Sequence, residues 1–161
     1  MLAPCFVFFT AFQTYCKNFV FCNIMLDSVL SHGLRDISMS HRTYWAVEPY
    51  IRVAEFSGHV SLDELDTVMH DFLAIASDSP AYFVLDLTNT RSLPTSIFQI
   101  QSIRDVVMLE NTRWLAVVNP DVFANYATRM LAGDKAKIFE DLERALSFLR
   151  GMVRLDTGVT L

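Results

Sequence analysis

The stretch AYFVLDL, Ala81 to Leu87, carries one charge in seven residues, which is the length and composition of a strand covered on both faces. Such a strand requires layers above and below it, and the flanking sequence supplies them. Before it, Ser61 and Glu64 form an S-x-x-E capping box ahead of Leu62, Leu65, Val68, Met69, Phe72, Leu73 and Ala76, spaced as one face of a helix. After it, Thr88 to Thr95 reads as a hydroxyl-rich loop. Ile97, Ile100, Ile103 and Val107 then predict a second helix with Ser96 as its cap. Trp114 to Val118 is another apolar run, and Asn119-Pro120 predicts the opening of a third helix carrying Phe123, Tyr126, Ala127, Met130 and Leu131 inward and ending near Gly133. Lys135 to Phe139 predicts a short strand, followed by a helix over Leu142 to Leu149. Upstream, Tyr44 to Glu48 and Tyr50 to Phe56 alternate apolar and polar residues around Pro49, as the arms of a hairpin do. The order β-β-α-β-α-β-α-β-α defines an α/β fold with a mixed, mainly parallel five-stranded sheet and four helices.

This regular pattern begins only after residue 38. Met1 to Ser38 is rich in aromatics, has no period of two or 3.6, and holds Cys5, Cys16 and Cys22, so the rest of the chain is free of thiols. A secretory signal would need cations ahead of its apolar run, yet the first is Lys17. A membrane anchor would need about 20 mainly apolar residues, and Gln13, Lys17 and Asn18 interrupt the stretch. The preferred division is a leader outside the fold over 1–38, a domain over 39–152 starting at Met39, and a loose tail over 153–161. A chain beginning at Met39 is expected to unfold at the same denaturant concentration as the full chain; an insoluble or unfolded product would make the leader structural.

The net charge of -5 and pI near 5.2 disfavour nucleic acid, whose phosphates call for a basic face. An apolar fraction of 52% excludes a disordered chain. Nucleotide chemistry finds no support, because the glycines stand singly and neither GxxxxGK[ST] nor GxGxxG is present. No GxSxG elbow or domain cysteine offers a nucleophile, so no enzyme activity and no cofactor are expected. Asp63, Asp66 and His70 share one helix face with His59 just before it. Early acids there suit the helix dipole, and a solvated face is preferred to a metal site, with His59 as a turn residue. Asp86, ending a buried strand, is expected to cap amides of the following segment rather than to act as a catalytic acid.

The stretch VLDLTNTRSLPTS, Val84 to Ser96, and the helix after it resemble the STAS domains of anti-sigma factor antagonists and sulfate transporter tails over roughly Thr43 to Gly151, in a pattern closer to divergent bacterial STAS-like proteins that also resemble small CRAL-TRIO-type domains. Asp86, Leu87 and Thr88 match the D-L-S strand end of that family. Thr95 falls at the phosphorylatable serine and Ser96 at the serine after it, while Pro94 stands in place of an aspartate and Ile97 of a glycine. The resemblance implies a bacterial, cytoplasmic, non-enzymatic regulatory module with a protein partner and no membrane association unless the leader is an anchor. Docking is expected through the loop and helix start at 88–98, using Asp86, Thr88, Arg91, Leu93, Pro94 and Phe98, with Thr95 and Ser96 as candidate phosphosite or switch. Phe98 lies off the Ile97, Ile100, Ile103 and Val107 stripe, so it is expected as an exposed aromatic anchor. The alternative is a carrier of a small apolar ligand or lipid, which needs a cavity among the Phe, Ile and Met side chains.

Overall fold

The computed structural model describes residues 41–159; the leader and the choice of Met39 as the first residue of the domain lie outside them. A five-stranded sheet runs in the order β1-β2-β3-β4-β5. Its strands are β1 (His41–Val47), β2 (Ile51–His59), β3 (Ala81–Ser92), β4 (Thr112–Val118) and β5 (Ala136–Phe139). β1 and β2 pair antiparallel as the expected hairpin, and every later pairing is parallel. The crossovers are α1 (Leu62–Asp78), α2 (Gln101–Met108) and α3 (Val122–Ala132), and α4 (Leu142–Thr157) follows β5. The expected order of elements is the observed one.

The period of two in β3 explains its apolar run. Phe83 and Leu87 face one layer with Ala54, Phe56, Leu115 and Val117, where they meet α1, α2 and α3. Tyr82 and Val84 face the other with Ile51, Val53, Ala116 and Val118, and meet Ala145, Leu149 and Val153 of α4. Phe83 stacks on Phe72 of α1 with ring centroids 4.2 Å apart. The predicted capping box of α1 is formed: the Glu64 amide donates to Ser61 Oγ at 3.2 Å, and the Ser61 amide donates to Glu64 Oε2 at 2.9 Å.

Several boundaries differ from the expectation. Thr88 to Ser92 is the end of β3, not loop, because Asn89, Thr90 and Ser92 pair with Ser57, Gly58 and His59 of β2. Threonine is β-branched and suits a strand as well as a turn. His59 is accordingly the last residue of β2 and not a turn residue. Ser96 caps no helix: Thr95–Gln99 is a 3-10 turn opened by Pro94, and Ile100 in extended conformation separates it from α2. The cap of α3 is Asp121, which accepts from the Ala124 amide at 2.6 Å, while Asn119 sits two residues earlier at φ 47°. Of the tail expected to be loose, residues 153–157 are helical. They complete α4, where Val153 is fully buried and Asp156 accepts from the Tyr82 hydroxyl at 2.5 Å.

That contact and one like it make the fold sensitive to alkali. Burial first, and then the hydrogen bond to Asp156, push the Tyr82 phenol well above its ordinary value. Burial and a 2.7 Å hydrogen bond to Glu55 push Tyr44 up to about 12. The folded state therefore holds these protons longer than the unfolded chain does. Its stability is complete below the ordinary tyrosine value of about 10 and declines as pH climbs from there through about 12. Circular dichroism in fixed urea across that window is expected to show the loss, and a flat profile would contradict it.

Candidate docking site

The site grows from the far end of β3. The register with β2 advances by three residues on β3, Asp86 to Asn89, against two on β2, Glu55 to Ser57, so β3 carries one extra residue in a bulge. Within that bulge Asp86 Oδ1 accepts from the Thr88 amide at 2.9 Å, the capping role expected for it. The carboxylate is thus committed to its own backbone. Thr88 in the bulge and Arg91 beyond it are exposed, and Leu93 and Pro94 are half-buried. Thr88 and Leu93 line a cleft together with Thr90, Asn119, Pro120 and Asp121 at the start of α3. This is the end of the parallel strands where ligands of open α/β sheets gather.

Pro94 turns the chain into the 3-10 segment, which leaves Thr95 exposed and Ser96 half-buried, with no side-chain cap. Ile97 is buried in the core, and Phe98 packs against the same core from its edge. Phe98 is half-buried rather than a free-standing anchor, since its ring meets Phe123 edge-on at 5.9 Å and Tyr126 at 6.2 Å, both on α3. The six expected docking residues therefore divide. Thr88, Leu93, Pro94 and Phe98 border the 3-10 turn and α3, Arg91 stands exposed before them, and Asp86 lies behind the surface.

The sequence reading missed the outer face of α3. Tyr126 and Met130, expected inward, are 58% and 63% exposed, and Val122, four residues before Tyr126, is 90% exposed. The inward positions belong instead to Ala124, Ala127 and Ala132. α3 is apolar on most of its circumference, so periodicity alone could not separate the face toward the sheet from the face toward solvent. A signal was present in the i, i+4, i+8 spacing of Val122, Tyr126 and Met130 beside a stripe of small alanines.

Other polar groupings are structural. Ser102 of α2, itself buried, donates to Asp66 Oδ1 of α1 at 2.6 Å, and His70 Nδ1 lies 2.9 Å from the Asp66 carbonyl. Among the described residues no three metal-ligating side chains converge. Lys135 donates to the carbonyls of Val107 at 2.9 Å and Leu109 at 2.7 Å, which fastens the open end of α2. Ser92 Oγ and His59 Nδ1 are 2.7 Å apart, a pair of nucleophile and base types that β2 and β3 bring together. Both are exposed.

No protein-family model matches the chain, and no curated protein matches it. Solved structures do. The anti-sigma factor antagonist SpoIIAA in its unphosphorylated form superposes with a TM-score of 0.53 at 10% identity, covering 69% of this chain and 96% of that one. An anti-sigma factor antagonist from Mycobacterium paratuberculosis gives 0.50 at 20% identity, over 69% and 95% of the two chains. The fold is therefore STAS-like, as the stretch from Val84 to Ser96 implied.

Proposed function

We propose that this chain is a non-enzymatic regulatory module of bacterial, cytoplasmic type that docks a protein partner through its 3-10 turn and the outer face of α3. The observation that carries this reading is the exposure of Val122, Tyr126 and Met130 on the outer face of α3, where Tyr126 meets the half-buried Phe98 of the turn in which the resemblance puts the switch residue. Apolar side chains gathered on a soluble surface mark interfaces. The similarity in fold to anti-sigma factor antagonists supports a regulatory role for such a face. No helix among the described residues is long and apolar enough to cross a membrane.

The carrier alternative finds less support. The apolar cavity between the sheet and helices α1 to α3, bordered by Leu65, Met69, Leu85, Val106 and Ala127, measures about 50 Å³. Ligand sites typically offer about 300 Å³ or more. Thr95 remains the candidate phosphosite, exposed on the turn that carries Phe98. Partner capture with Phe98→Asp and with Thr95→Glu tests the reading, with circular dichroism as the control for folding. Phe98→Asp is expected to abolish capture and Thr95→Glu to weaken it less. Loss of capture with Thr95→Glu alone would assign recognition to the switch residue instead of the apolar face.

A further inference from the structure

The chemistry of the partner is written in the charges around this face. Within a chain of net charge -5, Arg42 on Glu55, Arg52 on Asp71, and Arg144 on Glu140 and Asp141 are ion-paired away from this face, on β1, β2 and α4. Arg104 and Arg129 are exposed and have no carboxylate within ion-pair distance among the described residues. Arg129 sits beside Met130 on α3, and its Nε donates to Asn125 Oδ1 at 2.9 Å, which steadies the side chain and leaves its terminal nitrogens unspent. Arg104 belongs to α2. Ser102 is turned toward α1 by its bond to Asp66, and two residues further, about 200° around the helix, Arg104 projects from the opposite edge, toward α3.

Resting on the docking reading above, we infer that this surface takes an amphipathic helix of the partner whose apolar stripe is flanked by Asp and Glu. Phe98, Tyr126 and Met130 form the apolar floor, and Arg104 and Arg129 stand on either side as unneutralised cations. An apolar helix face lies between such walls through anchors at i, i+3, i+4 and i+7, and its flanking carboxylates meet guanidinium forks that offer paired N–H donors. A basic helix would bring like charges together, and like charges exclude a partner.

The test uses two synthetic helical peptides with the same Leu and Phe stripe, one flanked by Glu and one by Lys, titrated against the full chain by fluorescence anisotropy. The Glu-flanked peptide is expected to bind about tenfold or more tightly than the Lys-flanked one, with a preference that shrinks as salt rises. The double variant Arg104→Glu with Arg129→Glu, which alters only exposed positions, should reverse the preference. Equal binding of both peptides, or tighter binding of the Lys-flanked one, overturns the inference about charge. In that event the docking reading stands if Tyr126→Asp abolishes binding of both peptides. No binding of either peptide overturns the helical partner, and the docking reading is then judged on Phe98→Asp capture alone. Concentration-dependent dimerisation abolished by Tyr126→Asp would assign the face to a second copy and overturn the inference as well.

Discussion

A chain ended at Met152 is expected to lose about 3 kcal/mol or more of stability, a large part of the roughly 5 to 15 kcal/mol that holds a domain of this size together. Two losses add. Val153 is fully buried against Ile51, Val53 and Val84 in the layer beneath α4, and removing a buried valine side chain forfeits about 1.5 kcal/mol or more. The Tyr82 hydroxyl loses its bond to the Asp156 carboxylate, and a hydrogen bond to a charged group contributes about 1.5 to 3 kcal/mol. The last turn of α4 also disappears, with Gly158 in left-handed conformation (φ 70°) closing it through its amide to the Arg154 carbonyl. Urea unfolding of the shortened chain against the full one measures the difference. Asp156→Ala separates the second loss from the first, and an unchanged midpoint in the shortened chain would mean that α4 closes at Leu149.

Tyr126→Asp is expected to abolish partner binding, by about thirtyfold or more, while shifting stability by no more than about 0.5 kcal/mol. The two effects separate because of where the ring stands. At 58% exposure it contributes little to the core, yet it touches Phe98 and sits between Val122 and Met130 on the outer face of α3. An aspartate there places a charge among the apolar side chains that the partner must cover, and a desolvated, unpaired carboxylate opposes association. Phe98→Asp is the less clean variant, since Phe98 is half-buried and also rests on Phe123. A Tyr126→Asp chain that unfolds would place the ring in the core.

The architecture was legible in the sequence because its signals are local and redundant. The capping box at Ser61 and Glu64 and the unbroken run Ala81 to Leu87 each point to one element, and each element is present; the isoleucine stripe is divided, with Ile97 in the 3-10 turn, Ile100 in the extended link and Ile103 in α2. The boundaries were less legible where two chemistries suit one residue. Thr88 and Thr90 serve a strand or a loop equally, and only pairing with β2 decides. Asn119 and Asp121 both suit a helix cap, and the left-handed backbone of Asn119 leaves the role to Asp121. Polar residues ending α4 concealed one buried valine and one hydrogen bond across 74 positions of sequence. Of the candidate site, the turn bearing Thr95 and Phe98 was visible in the resemblance. The α3 half was hidden, since a helix apolar on most sides reveals its outward face only when packed.

The measurement that tests the central claim most directly is the footprint of the captured partner on this chain, read as backbone amide shift changes residue by residue. The largest changes are predicted at Leu93 to Gln99 and along Val122 to Met130, with α1 and α4 unaffected. A footprint centred on α4, or on β1 and β2, would contradict the assignment of docking to the 3-10 turn and α3.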